Sequence, residues 1–493
     1  MKSLVSSRLA VVLLAVLTMA HVGSPDTFFG GKAGPYDVRV SVKLPGVIPG
    51  RAQVTVRVIV PGGAPPPNAH HVTVRAGQWN VGLKGAPPAE TASPVPGDPS
   101  LFASELWLMT AQPYELAVAI DGPAGKGEVL VPVVALATAE TPMAPWLGGV
   151  LAALGIFLTA GMLTIIGAAV RESGLPPGSE PDRRRRVRAR IGVAVAAIAA
   201  ALVVWGGNAW WGAEASAYSR SILYRPFNAE ASISEPVASG SSRAVHLAIR
   251  DPRWSGRPYP QSMYNVLMPD HGKLMHLFMV RDDGGALAHL HPIARTPQAL
   301  DFDANVPDLP GGHYRVYADI VHESGYAQTL VSAVDLSDHP IVGPRVPSDP
   351  DDSWFAGARA PEIVWDRGLD PIVAGQDRDL KFSVRDAAGA DVTVEPYMGM
   401  AAHLVVASLD GTVFAHLHPA GSISMAAMQR FVVPFGGAGV DPHAGHAMPG
   451  MTLDGRVAIP YAFPKPGAYR LFAQVRRGGV VRTAAFDVAV QPR

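Results

Sequence analysis

The chain reads as mainly β, with three immunoglobulin-like β-sandwich domains and a two-helix transmembrane hairpin between the first and the second. Three observations give that class. Short runs alternate apolar and polar residues between Gly- and Pro-rich breaks, in a chain of 493 residues holding 51 Gly and 46 Pro. Two apolar segments, 146–170 and 191–211, are long enough to cross a bilayer. Beyond them the sequence repeats itself: His276, His289, His291 and Pro292 follow the pattern H-x12-H-x-H-P, and so do His403, His416, His418 and Pro419, 127 residues later. A repeat at fixed offset marks a duplicated structural unit.

Taken in order, residues 1–20 read as a secretory signal, with Lys2 and Arg8 ahead of an apolar core at Leu9–Leu17 and the small-residue end Thr18-Met19-Ala20. Cleavage there leaves His21 as a new N-terminus, where amine and ring together can bind copper. Residues 21–142 form the first extracytoplasmic sandwich. In it Tyr36, Val38, Val40, Val42 and Leu44 alternate with polar residues, as do Ala52, Val54, Val56 and Val58. The helix at 146–170 follows. The loop 171–190 carries Arg183–Arg186, Arg188 and Arg190, which the positive-inside rule places in the cytoplasm, and the second helix at 191–211 returns the chain to the outer side. Both β regions then lie on the extracytoplasmic side of a bacterial cytoplasmic membrane. Ala196 and Ala200 offer a small-residue contact for helix pairing. A linker spans 213–242, and the repeat domains occupy 243–338 and 360–490, sharing the segments Gly312-His313-Tyr314-Arg315 and Gly467-Ala468-Tyr469-Arg470. The tyrosine in each fits a sandwich corner.

Composition narrows the chemistry. Formal net charge is zero, so nothing points to nucleic acid, and the lipid bilayer is the partner the sequence implies. Cysteine is absent, which removes disulfides, thiolate sites and a cysteine nucleophile. No G-x-S-x-G, Walker loop or H-E-x-x-H occurs, and the reading is of a binding protein rather than an enzyme, with redox chemistry at a copper site left open. Of 16 histidines, 13 lie beyond residue 212.

The repeat has geometric content. Asp283-Gly284 and Asp410-Gly411 sit between apolar runs, a signal for a two-residue type I′ hairpin. Counting outward, His403 falls opposite His418 and Val405 opposite His416; His276 falls opposite His291. Opposed residues share a face with Cβ atoms about 4.5–5.5 Å apart. Each copy therefore gathers three imidazoles at the open end of one hairpin, a set able to hold Cu(II) or zinc. Histidines alternating along a strand also occur as ordinary surface residues. Five residues before each hairpin histidine stand His271 and Met398, with Met400 two further on. Thioethers favour Cu(I), and methionines also fill cores. Copy two carries a 28-residue insertion containing a His/Met-rich loop, 443–451, with His443, His446, Met448 and Met451 as further soft or borderline ligands. His313, Asp319, His322 and Glu323 have no chemical counterparts in copy two, where Ala468, Gln474, Arg477 and Gly478 stand. Copy one would then be the harder site and copy two the softer.

Phe414-Ala415-His416-Leu417-His418-Pro419 resembles the FAHLHP-type motif of uncharacterised bacterial membrane-anchored proteins, as does the stretch His21–Pro25 followed by Gly34-Pro35-Tyr36. The sandwich domains look like small extracytoplasmic modules of the YtkA/FixH or CopC type, the latter implying copper handling by analogy of fold. Two function classes follow: a copper-binding or copper-delivery protein with a metal donor or acceptor as partner, or a metal-free assembly module of a membrane complex.

Overall fold

In the computed structural model the chain is mainly β, with several sheets and two long apolar helices. The structure describes all residues except 1–20, 23–25, 60–69, 80, 177, 222, 235–242, 255–263, 265, 297–299, 339–346, 358–359 and 433–452. It divides into two compact units, Ala137–Tyr224 and the remainder.

The smaller unit is the helical hairpin. Helix α1 runs Pro145–Glu172 and α2 runs Arg183–Ser221. No residue of α1 is buried, and both helices are long and apolar enough to cross a membrane. The arginine run lies in the first turns of α2 rather than in the preceding loop, because the Asp182 carboxylate accepts the Arg185 backbone N–H at 2.7 Å and starts the helix before it. The helices approach closely where side chains are smallest: a Cβ on Gly167 would stand 3.0 Å from Val193. Ala196 and Ala200 fall on the same half-covered stripe as Gly192.

In the larger unit, the N-terminal strands form one continuous eight-stranded sheet rather than two clearly separate ones. Its order is Thr27–Ala33, Tyr36–Lys43, Gly50–Ile59, Asp98–Leu108, Glu90–Val95, His71–Gln78, Pro113–Gly122, Gly125–Val134. Its ends meet, since a Cβ on Gly127 would lie 2.0 Å from the Ala33 carbonyl oxygen. The alternation of Val38, Val40, Val54, Val56 and Val58 is buried as the sequence predicts.

Each repeat is a pair of sheets around its own core. The strands that carry the histidines are β1 (His276–Arg281), β2 (Leu287–Leu290) and β3 (Gly312–His322) in repeat 1, and β4 (His403–Ser408), β5 (Val413–Leu417) and β6 (Gly467–Arg477) in repeat 2. In both repeats the sheet order is hairpin return, first hairpin strand, Gly-start strand: β2-β1-β3 and β5-β4-β6. The second sheet of repeat 1 begins at Ala229–Ser234, inside the stretch expected to be a linker. Its alternation is carried by Ala229, Ala231 and Ile233, too small and polar a segment to stand out in sequence.

The tyrosine corners form: Tyr314 donates to the Pro310 carbonyl at 2.6 Å and Tyr469 to the Lys465 carbonyl at 2.7 Å. The hairpin turns differ from the type I′ expectation. Only the glycines take positive φ, 69° at Gly284 and 72° at Gly411, and the turn bond runs from the Gly N–H to the carbonyl of Arg281 or Ser408. The aspartate precedes the left-handed glycine and accepts locally, from Gly285 N–H at 2.8 Å and from Thr412 N–H at 3.1 Å. The longer turn leaves the pairing unchanged, with Val405 opposite His416 and Phe278 opposite His289.

The repeats pack face to face. One parity of β1 and β4 faces the repeat's own core, and the other faces the opposite repeat, so every residue of β4 is buried. Phe278, Val280, Leu287 and Tyr317 meet Val405, Ala407, Phe414 and Phe472 in a shared cluster, at whose centre Tyr317 stacks on Phe414 at 4.1 Å and 12°. The turns lock reciprocally: Gly411 lies under Arg315, which donates to the Leu409 carbonyl at 3.2 Å, and Gly284 lies under Arg470.

Candidate metal centre

At the other end of this interface the histidines of both hairpins converge. His276, His289 and His291 form one triad and His403, His416 and His418 another, each with ligand nitrogens within 4.8 Å of one another. All six are buried or nearly so. The triads touch, with the His276 and His416 rings 5.3 Å apart and the His289 and His403 rings 6.0 Å apart. The two expected hairpin sites are thus two halves of one chamber.

Hydrogen bonds fix which nitrogen is free on four of these rings. A carbonyl oxygen can only accept, so His276 Nε2 donates to Asp270 O at 3.1 Å and His403 Nε2 donates to Tyr397 O at 3.0 Å. His289 Nδ1 donates to Gln474 Oε1 at 2.9 Å, His291 Nδ1 to Asp352 Oδ1 at 3.0 Å, and His416 Nδ1 faces Asp319 Oδ2 at 3.4 Å. Where a ring donates a hydrogen bond, its other nitrogen carries a lone pair. His276 Nδ1 then stands 3.2 Å from His289 Nε2, lone pair to lone pair, and the matching contact in repeat 2 sets His403 Nδ1 3.0 Å from His416 Nε2. Among the described residues, His291 Nε2, His418 Nδ1 and His271 Nε2 are buried with no hydrogen-bond partner. Orphaned acceptors facing each other are costly in a protein interior, about 1–3 kcal/mol each. One ion bound at about 2.0–2.1 Å to both nitrogens of a pair, at an angle of roughly 95–105°, sets them about 3.0–3.3 Å apart. The spacing and the tautomers therefore fit a metal, and the outer partners are of the kind that orient metal-bound imidazoles.

Burial pushes His276, His289, His403, His416 and His418 well below the usual imidazole value, and neighbouring imidazoles push the same way. Neutral rings are the ligating form. Burial also raises Asp319, up to about 7, against the lowering pull of the Thr329 hydroxyl.

Second partners cross between repeats. Asp319, on β3 of repeat 1, serves His416 of repeat 2, while Gln474, on β6 of repeat 2, serves His289 of repeat 1. Asp319, expected to harden the copy-one site, thus stands beside the copy-two triad because facing sheets exchange these side chains, while Asp352 supplies a carboxylate to His291. His271 likewise lies 5.2 Å from His418 and 5.3 Å from His403. His313 pairs instead with Asp335 at 2.8 Å on the surface, and His322 lies among Phe227, Trp254, Tyr264 and Tyr326. Met398 and Met400 are not strand neighbours: Met398 has φ 50° in a turn closed by Tyr397 and Met400 backbone bonds. Met400 is buried and Met398 half-buried. The backbone of His21 pairs with Val413, three residues along β5 from His416. His443, His446, Met448 and Met451 lie outside the described residues.

Sequence reasoning missed Asp352 and Tyr397. Tyr397 donates its hydroxyl to Asp351 O at 2.8 Å and stands 3.4 Å from His289 Nδ1. Asp352 lies between the stretches assigned to the two repeats, 243–338 and 360–490, and its carboxylate accepts both the backbone N–H and the ring of His291. Nothing in its local sequence marks it. Lys273 neutralises the adjoining Asp349 and Asp351 at 2.6 and 3.2 Å.

Comparison with the curated proteins gives no match. Among solved structures the chain is similar to dimeric latent PorU from Porphyromonas gingivalis, at 10% identity over 95% of this chain and 34% of that one, TM-score 0.14. It is also similar to Salmonella alpha-2-macroglobulin reacted with methylamine, at 10% identity over 95% of this chain and 23% of that one, TM-score 0.19. The chain spans only these fractions of those proteins, and at such scores neither likeness bears on fold or function. A domain of unknown function, DUF8832, is found in this chain over residues 229–336 and 362–492, the two repeats whose facing sheets build the chamber.

Proposed function

We propose that this chain is a membrane-anchored extracytoplasmic metal-binding protein, that its metal is copper, and that it binds, delivers or detoxifies that metal outside the cytoplasmic membrane. The observation that carries the reading is two clusters of three buried imidazoles, one holding His276 Nδ1 and His289 Nε2 lone pair to lone pair at 3.2 Å and the other bringing His403 Nδ1 within 3.0 Å of His416 Nε2. Copper is favoured over zinc by the donor set. Nitrogen-only sites bind Cu(II) most strongly among the divalent first-row metals, and the thioethers of Met398, Met400 and the 443–451 loop suit Cu(I). In this reading the N-terminal sheet and the two repeats are sandwich-type modules, α1 and α2 anchor them, and the arginine run sits on the cytoplasmic side with the β units opposite. The test is copper and zinc content, with competition titrations, of the detergent-solubilised full-length chain. Tight copper uptake, reduced by His289→Ala/His291→Ala and separately by His416→Ala/His418→Ala, supports the proposal. Absence of tight binding of either metal overturns it in favour of a metal-free module of a membrane complex.

A further inference from the structure

The two triads are related by the repeat, and their surroundings are not the same. Under the 127-residue offset His271 corresponds to Met398, Asp270 to Tyr397 and Gly272 to Gly399. The backbones match: His271 has φ 51° and Met398 φ 50°, followed by Gly272 at 80° and Gly399 at 78°. A non-glycine residue held in the left-handed region in both copies is a strained position kept by its surroundings. In repeat 1 the strain places an imidazole across the interface. The His271 ring makes edge contacts to His403 and His418 of repeat 2, and its Nε2 is buried with no hydrogen-bond partner among the described residues. On the adjacent ring, His418 Nδ1 is also buried with no partner among the described residues. Two unpartnered nitrogens on rings 5.2 Å apart, beside the triad of repeat 2, mark where a fourth imidazole can join it. At the matching place in repeat 2 stands a thioether instead.

Resting on the metal-binding reading above, we infer that the chamber holds two unequal metal positions: a four-imidazole position of His403, His416, His418 and, from the other repeat, His271, and a three-imidazole position of His276, His289 and His291 with Met398 at the corresponding turn. Each position has a carboxylate behind one imidazole: His416 faces Asp319, and in the other triad His291 donates to Asp352 while His289 donates to the neutral amide of Gln474. The difference between the positions is therefore the fourth ligand: four nitrogens suit Cu(II), and three with a thioether suit Cu(I).

The experiment uses the full-length chain in detergent, with Cu(II) sulfate followed by electron paramagnetic resonance and Cu(I) followed anaerobically by chelator competition. The four-imidazole position is isolated in the His289→Ala/His291→Ala background and the other in His416→Ala/His418→Ala. Loss of an outer partner alone costs roughly 10–100-fold in affinity. His271→Met should therefore weaken Cu(II) at the four-imidazole position at least about tenfold and remove one nitrogen from its spectrum, without changing Cu(I) affinity at the other position. The variant keeps the fold readable, because the same turn accepts methionine in repeat 2. The reciprocal Met398→His should add a nitrogen and raise Cu(II) affinity at the three-imidazole position. Unchanged Cu(II) binding in both variants, or a His271→Met effect confined to the three-imidazole position, overturns the inference while leaving copper binding intact. A wild-type chain that takes up no copper overturns both readings.

Discussion

Phe414→Ala tests whether the facing of the repeats is what assembles the chamber. Phe414 is 0% exposed, stacks on Tyr317 at 4.1 Å and lies 5.2 Å from Phe278, so both its faces are committed to repeat 1. Truncating a buried Phe to Ala costs about 3–5 kcal/mol, within which the aromatic pairs account for roughly 0.5–1.5 kcal/mol each. For the repeat pair that corresponds to a fall in melting midpoint of roughly 6–20 °C. Leu471→Ala is the control. Leu471 is equally buried but faces repeat 2's own core, and its truncation costs about 2–5 kcal/mol. Both variants should lose stability in thermal melts followed by circular dichroism. Only Phe414→Ala should also weaken copper uptake at the proposed sites, because Phe414 lies two residues from His416 on the same face of β5. A Phe414→Ala midpoint within about 2 °C of wild type would refute face-to-face packing. Equal weakening of copper binding by both variants would refute the claim that the interface, rather than general stability, sets the site.

Other consequences follow from the same geometry. Five imidazoles have folded values depressed below the ordinary one, so between those values and about 6.5 the unfolded chain binds more protons than the folded chain. Stability of the metal-free protein should therefore fall as pH drops below about 6.5, by up to roughly 1.4 kcal/mol per pH unit per ring, and copper affinity should fall with it; a flat melting midpoint from pH 7.5 to 5.5 would contradict the buried neutral cluster. Asp319→Asn should weaken copper at the position containing His416 by about 10–100-fold and spare the position containing His289, read by titration in the two single-triad backgrounds. Because the chain has no cysteine, single cysteines can be introduced cleanly. One at Ser179, between the helices, should resist a membrane-impermeant thiol reagent in intact cells, and one at Ala388 should react; the reverse pattern would overturn the proposed topology.

Much of the chamber was legible in the sequence because hairpins obey a period of two. The H-x12-H-x-H-P spacing set the pairing of His403 with His418 and put His416 on the same face, whatever the turn type between them. The wrong turn type did no harm, since the Asp-Gly signal still located the centre of the hairpin. Contacts between repeats left no periodic trace, because they join residues 94–185 apart in sequence, such as Arg315 with Leu409 and His289 with Gln474. One clue was available. The runs His276-Leu277-Phe278-Met279-Val280 and His403-Leu404-Val405-Val406-Ala407 are apolar on both faces, which a sheet with one solvated face does not need. That pattern asks for a second layer, and the layer is the other repeat. The exchange of Asp319 and Gln474, and the reach of His271, follow from that packing and could not precede it.

The most direct test of the account is an anomalous-difference map, collected at the copper edge, from crystals of the copper-loaded chain. The account predicts two peaks inside the interface between the repeats. One should lie within bonding distance of His276 Nδ1 and His289 Nε2, the other within bonding distance of His403 Nδ1 and His416 Nε2. Copper found only at surface histidines such as His313, with the chamber empty, would contradict it.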